Sequence, residues 1–576
     1  MENTFDYVVV GAGSSGCVMA NRLSEDGTDT VLILEAGGKD TNMFIHMPSG
    51  YSQIVPTKND NNYGFETEPE ATTNNRPLYW PRGKGWGGSS SINAMIYIRG
   101  HSYDYDLWRQ QGNEGWSYDD VLPYFKKAEN FHGDGDEEFH GYEGPLHVKK
   151  SDRDDDLLLE KFIEAGQQAG FPYTRDFNGK EQEGVSRYEH TINDTSRGPR
   201  RWSSAKAYLH PALERENLSN EINVTVDKLI MDGKKVKGIE YINKKGERKS
   251  CFANKEVILS AGALGSPLIL MRSGIGDPND ITKHSIDLVH ELKGVGKNMQ
   301  DHYGVTSSFY STKPVTLHRS VSWIKTQIAG IKYLLFGTGD AAYPPCSGGG
   351  FIKSSPEKDL PDTQLHYVSI QGEDQHYRTG VTKEHGFSCI AYICRPQSRG
   401  YLTLKSADPE DEPLLYPNYL SEEEDVIDLR NALRETRRIL MQSAFDEFRG
   451  DPVKPGPEIN IDDDEELDNW IRENGETLYH PVSTCKMGND EMSVVDDDLK
   501  VHGIDGLRVV DASIMPTLIA GNTNAPAIMI AEKAADLIRK ASMPSIAKIH
   551  RFFLFGSNLF GIISVTESVS AIFVFS

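Results

Sequence analysis

Cysteine is scarce in this chain: six in 576 residues, at Cys17, Cys251, Cys346, Cys389, Cys394 and Cys485. No spacing among them resembles a zinc site or a disulfide framework. Reduced thiols in a reducing compartment are therefore expected. Positive charge is also short. Lys and Arg total 61 against 85 Asp and Glu, a formal net charge of -24. A nucleic-acid surface would need the opposite balance to neutralise phosphates, so no nucleic-acid partner is expected. The excess acid reads as a solubilising surface. The opening Met1-Glu2-Asn3-Thr4-Phe5-Asp6 has neither the basic start nor the apolar stretch of a secretory signal, and a cytoplasmic protein is expected.

What is present is enough chain for two interlocked units with a sizeable core. Residues 7–10 form an apolar run that reads as a buried parallel strand. The turn Gly11-Ala12-Gly13-Ser14-Ser15-Gly16 follows. Residues 17–23 read as a helix and 30–34 as a second strand ending at Glu35. This is a βαβ unit of dinucleotide-binding type. Gly11 permits the tight turn, Gly13 lets the backbone approach a pyrophosphate, and Gly16 lets helix and strand pack closely. The helix start, with Ser14 and Ser15, presents free N–H groups to phosphate. Glu35 is placed to accept ribose hydroxyls. FAD and NAD share this half, so the motif alone does not choose between them.

Further pieces read as parts of the same unit. Residues 223–230 and 236–241 form a strand pair, and 257–260 is a short apolar strand. Residues 507–510 form a strand stopping at Asp511, where ligands bind in open α/β sheets, and 526–539 follows as a helix. The intervening 311–469 contains strand-like stretches at 363–370, 387–393 and 400–404, with a helix over 424–441. The acidic stretch 462–466 reads as a solvated helix start rather than a metal site, and no metal is expected.

Two segments stand out for glycine and serine. One is Gly83-Lys84-Gly85-Trp86-Gly87-Gly88-Ser89-Ser90-Ser91-Ile92-Asn93, and the other is Gly262-Ala263-Leu264-Gly265-Ser266-Pro267 with its continuation to Gly276. Both resemble signatures of the glucose–methanol–choline (GMC) oxidoreductases, with Trp86 as a departure from the usual aliphatic residue. Further likenesses are Gly294 to His302, Tyr479-His480-Pro481 and Gly521-Asn522-Thr523-Asn524, in the family's order over residues 5–540. The likeness is nearest to members that oxidise choline or long-chain primary alcohols.

The resemblance implies an α/β fold: a Rossmann-like FAD-binding domain (1–155, 195–310 and 470–545) interlocked with a mixed α/β substrate domain built on an antiparallel sheet (156–194 and 311–469). It selects FAD and implies that Gly11, Gly13, Gly16 and Glu35 hold the adenosine diphosphate half. Gly87, Gly88, Ser89 and Asn93 then lie against the flavin. The Val226 backbone meets adenine, and Asp511 with the adjoining Ala512 meets the ribityl or pyrophosphate region. Some relatives carry a flavin-linking histidine where this chain has Ile92, so non-covalent FAD is expected.

Oxidising an alcohol removes a proton from oxygen and a hydride from carbon, and a base at the hydroxyl strengthens hydride donation. Histidine suits this role, with a free pKa near ~6.5. The resemblance singles out His480 as base and Asn524 as the second active-site position, whose amide would donate to the developing alkoxide. His302 reads as structural.

A choline site wants a carboxylate near the trimethylammonium group. The residues before Gly349-Gly350-Phe351 are Pro344-Pro345-Cys346-Ser347-Gly348, with Ser347 where choline-oxidising relatives are expected to carry an acid. This favours oxidation of a neutral primary alcohol to an aldehyde, with electrons passed to a quinone or other acceptor. Met47, Tyr51, Ile54 and Val55 would suit an aliphatic chain at the entrance. Choline dehydrogenase is the alternative, and a non-catalytic flavin-binding module the alternative of another class. The apolar tail 546–576 is marked by 552–565, 14 residues long and short of the ~20 needed to span a bilayer. It invites weak peripheral association at the inner face of a membrane.

Overall fold

The computed structural model describes residues 3–320, 323–372 and 384–542; the tail 552–576 lies outside the described residues. Two seven-stranded sheets organise the chain. The first is built around Thr4–Val10, whose buried half is the Tyr-Val-Val-Val run. It pairs in parallel with Val31–Glu35 on one side and Arg248–Leu259 on the other. Leu218–Ile222 adds beyond Val31–Glu35, again in parallel. Thr225–Asp232 and Lys235–Ile242 form the expected antiparallel pair on the far edge, and Leu507–Val509 pairs with Arg248–Leu259.

Helix α1 (Ser14–Leu23) leaves the first strand directly through the glycine turn. A Cβ on Gly16 would stand 1.8 Å from the Gly11 carbonyl oxygen, so only glycine lets this helix pack so close to its own strand. Helix α2 (Gly262–Arg272) leaves Arg248–Leu259 in the same manner. One large apolar core joins this sheet, both helices and the segments around residues 105–131 and 494–538.

The second sheet is antiparallel, ordered Arg449–Lys454, Tyr303–Ser311, Gly386–Ile393, Thr363–Val368, Gly348–Ile352 and Gly184–Arg187. Glu476–Thr477 joins alongside Tyr303. The strand Tyr303–Ser311 thus crosses the expected boundary at 310 and pairs wholly in this second sheet. Helix α3 (Trp323–Phe336) follows on the chain, where no helix was expected. Helix α4 (Glu423–Leu440) packs its apolar stripe on the sheet, and Asp463 caps the helix Asp464–Asn474 at the acidic stretch. Helix α5 (Asn524–Ser542) returns to pack against α1, so both ends of the chain complete the nucleotide half.

Candidate active site

A cavity of about 1350 Å³ lies where the two sheets meet. Gly11, Gly13, Ser14, Ser15, Glu35, Val226, Asp511 and Ala512 line it from the first sheet. Gly11 takes φ +98° at the strand exit. Gly13 precedes α1 with no side chain capping the helix. The serine side chains turn away: Ser14 donates to Asn524 Oδ1 at 2.8 Å and Ser15 to the Ala527 carbonyl at 2.8 Å. The first-turn N–H groups have no intrahelical acceptor and belong to residues that line the cavity, a donor set suited to an anionic diphosphate.

Glu35 is buried in the wall and accepts from Ala12 N and Gly37 N at 2.8 Å and Gly85 N at 2.9 Å. Burial pushes its carboxyl up, and the three N–H donors oppose that shift. Gly85 belongs to the glycine–serine segment, so Glu35 ties that loop to the glycine turn. Gly87 donates to the Ala12 carbonyl at 2.7 Å. A Cβ on Gly88 would come within 2.8 Å of Gly13 Cα. Gly16 and Gly87 shape this corner from behind, while Gly88, Ser89 and Asn93 line the cavity. Ser89 Oγ accepts from Gly83 N at 3.1 Å, and Asn93 Oδ1 from Arg201 Nη1 at 2.7 Å. The Val226 carbonyl accepts from Arg272 Nη2 at 3.2 Å. Asp511 clasps two loops, accepting from Gly262 N at 2.9 Å, Ser266 Oγ at 2.6 Å and Ser513 N at 2.8 Å. Ile92 also lines the cavity, with its side chain packed near Ile45 and Ile54.

His480 lines the same cavity from the other sheet's side. Its turn is held tightly. Tyr479 adopts φ 67°, a left-handed conformation uncommon for a bulky residue. Thr477 Oγ1 accepts from Tyr479 N at 2.9 Å, and Arg82 donates to the Tyr479 carbonyl. Asp301 receives the His480 N–H at 2.6 Å and the Thr477 hydroxyl at 2.5 Å.

The neighbours of the ring set its tautomer. His302 Nε2 lies 3.0 Å from the Cys394 carbonyl, which can only accept, so this nitrogen carries the proton. In neutral His302, Nδ1 is then the acceptor. It lies 2.9 Å from His480 Nδ1, which must donate. His480 Nε2 is left with its lone pair, aimed at Asn522 Nδ2 at 3.2 Å. Asn522 is oriented in turn by Gln364, whose amide nitrogen lies 3.2 Å from Asn522 Oδ1, while Tyr392 donates to Gln364 Oε1. Burial lowers the His302 pKa to about 4. Burial, with His302, His366 and Arg82 nearby, holds His480 well below the usual 6.5. Burial thus disfavours the protonated form of both rings.

The expectation for Asn524 needs correction on geometry. Asn524 starts α5 and its side chain engages Ser14 at the nucleotide turn. The asparagine beside His480 is Asn522, two residues earlier. Both line the cavity, Asn524 against the glycine turn and Asn522 against His480.

Around His480 the wall is formed by Leu478, Ile390, Ile370, Val368, Cys346 and His366. Met47, Tyr51 and Val55 line it as expected, whereas Ile54 is buried beside Ile45 and Ile92. Ser347 donates to the Pro344 carbonyl at 3.1 Å, and its neighbours Pro345 and Cys346 supply the wall there. Asp340 also lines the cavity, paired with Arg153 Nη2 at 2.6 Å. Among the described residues no cluster of three or more metal-ligating side chains occurs.

A glycine-turn nucleotide site joined to a buried histidine and a carboxamide is the framework of a dinucleotide-dependent oxidoreductase. Comparison with known proteins places it further. Sequence models of the GMC oxidoreductase family match residues 5–304 and 396–531. Mitochondrial choline dehydrogenase of Mus musculus is 44% identical over 549 residues, covering 93% of this chain and 90% of that one. An oxygen-dependent choline dehydrogenase of Escherichia coli O127:H6 is 44% identical over 544 residues, covering 94% and 96%. Among solved structures, pyridoxine 4-oxidase from Mesorbium loti superposes with TM-score 0.82 at 29% identity, covering 93% of this chain and 99% of that one. Formate oxidase gives 0.86 at 26%, covering 94% and 99%. The chain belongs to the GMC oxidoreductase family, and FAD is its cofactor.

Proposed function

We propose that the chain oxidises a neutral primary alcohol to its aldehyde, with His480 as base and FAD held without a covalent link. The observation that carries this reading is the hydrogen-bonded chain from the Cys394 carbonyl through His302 and His480 to Asn522. It leaves an unprotonated His480 Nε2 beside the Asn522 amide donor, hydrogen-bonded to each other at the cavity wall, a bond that an entering alcohol would displace. An alcohol oxygen placed there donates its proton to His480 Nε2 while Asn522 Nδ2–H stabilises the growing negative charge. FAD, when bound, supplies the hydride acceptor. Ile92 offers no nucleophilic atom for a flavin link. The electrons leave to a quinone or another acceptor.

The apolar wall around His480, with Asp340 matched by Arg153 and no acid at Ser347, favours a neutral chain over a cation. A second reading, choline oxidation, is favoured by the 44% identity to choline dehydrogenases. The holoenzyme should be mixed anaerobically with a panel of alcohols and flavin bleaching followed. Octanol should give the higher kcat/KM; saturable choline oxidation with a clearly higher value would transfer the assignment to choline.

A further inference from the structure

Helix α3 (Trp323–Phe336) is anomalous. Its sequence is apolar except at Lys325, Thr326, Gln327 and Lys332, yet it lies at the surface. Among the described residues the five most exposed large apolar side chains all belong to it: Ile328 (58%), Ile331 (55%), Leu334 (55%), Leu335 (70%) and Phe336 (71%). Its anchorage to the body is narrow. Tyr333 is buried with Met47, Ala341 and Ala342, and donates to the Pro199 carbonyl at 2.8 Å. A contiguous exposed apolar surface of this kind marks an interaction site.

The charge beside it is equally out of character. In a chain of net charge -24, α3 carries Lys325 and Lys332, both exposed, and no acid. The hairpin that supports it adds Arg197, whose backbone packs at Gly337, and Arg200, near enough to Tyr333 to act on its phenol. The nearby acids Asp194 and Asp340 are matched by Lys149 and Arg153. Exposed apolar side chains beside bases, with the nearest acids held in ion pairs, suit the headgroup region of an anionic bilayer.

The helix also borders the cavity. Thr326, Gln327, Ile331 and Leu334 line it, as does Met43, itself 43% exposed. We infer that α3 lays its apolar face into an anionic bilayer surface, so that the cavity opens onto lipid. A lipophilic alcohol or acceptor would then enter without crossing water. With 14 residues the helix is too short to span, and no described helix is long and apolar enough to cross a membrane. The contact is interfacial and separate from the tail 552–576.

The test uses full-length holoenzyme and vesicles of phosphatidylcholine with and without phosphatidylglycerol, separated by sedimentation. Binding should need the anionic lipid and fall about tenfold or more in Leu335→Glu/Phe336→Glu. It should fall less in Lys325→Gln/Lys332→Gln, and survive deletion of 546–576. None of the four substituted side chains lines the cavity, so flavin content and reduction by a water-soluble alcohol should be unchanged. Phe336→Trp should be quenched by brominated lipid, an outcome that does not rely on loss of binding. The inference is overturned if the glutamate variant binds as wild type or if only the tail deletion abolishes binding. It is equally overturned if the glutamate substitutions merely convert a dimer to a monomer, which would make a second copy the occupant. None of these outcomes depends on which alcohol is oxidised.

Discussion

The glycine turn of residues 11–16 and His480, with His302 buried behind it, border one cavity, yet the chain assembles them over very different separations. Glu35 reaches the Ala12 N–H across 23 residues. His302 and His480 meet across 178, and Asn522 is oriented by Gln364 across 158. The diphosphate turn is a local device: one strand, one turn, one helix and one acid specify it, although the rest of the nucleotide site comes from distant segments such as Gly85 and Asp511. The alcohol end is an agreement among loops from several parts of the chain, each fixed by its own backbone bonds. Local devices fail as folds do, and assembled sites fail one function at a time.

The sharpest contrast should come from Gly16→Val. The new Cβ would meet the Gly11 carbonyl at 1.8 Å, a backbone atom that cannot step aside. No FAD-loaded protein should be recovered, judged by flavin absorbance per chain; full loading would break the comparison. Asn522→Ala should leave FAD in place and slow anaerobic flavin reduction by about 100-fold, the scale for removing one donor to a developing oxyanion. Asn524→Ala should behave as a nucleotide-end variant, with FAD retention weakened about fivefold, the worth of one neutral hydrogen bond. If Asn524→Ala slowed reduction more than Asn522→Ala, the two asparagines would have to exchange roles.

That pair shows where sequence reading stopped. The turn 11–16, Glu35 and the histidine of Tyr479-His480-Pro481 stand out because each has a local signal: glycine spacing, an acid ending a strand, a family motif. In Gly521-Asn522-Thr523-Asn524 both asparagines fit a motif and both suit a helix start. Only the position of the first α5 turn decides which one faces His480. The tautomer of His480 was equally hidden, since it is set by the Cys394 carbonyl, which no side-chain pattern reports. His302 read as structural for the same reason. Helix α3 escaped because apolar residues over most of its circumference leave only a weak one-sided pattern. The hairpin of Thr225–Asp232 with Lys235–Ile242 was legible because alternation and turn residues are local; the parallel pairings of the first sheet and the order of the second were not, since they join distant strands.

The smallest effect is a pH dependence that should be nearly absent. His480 and His302 have folded pKa values pushed below the free value of 6.5, His302 to about 4. The neutral rings are the working forms, so flavin reduction should stay flat from about pH 8 to 6 and fall only as pH drops through the depressed values. Over that acid range the unfolded chain takes up protons that the folded one refuses, so stability should decline below pH 6.5. A reduction rate that halves near 6.5 would show that His480 titrates as a free histidine.

The most direct test of the account is the rate of anaerobic flavin bleaching by a primary alcohol in His480→Ala. The variant should carry a full complement of FAD, because no bond of the nucleotide cradle involves this side chain, and bleach about 100-fold or more slowly than wild type. An FAD-loaded His480→Ala enzyme bleaching at the wild-type rate would contradict the assignment of His480 as base.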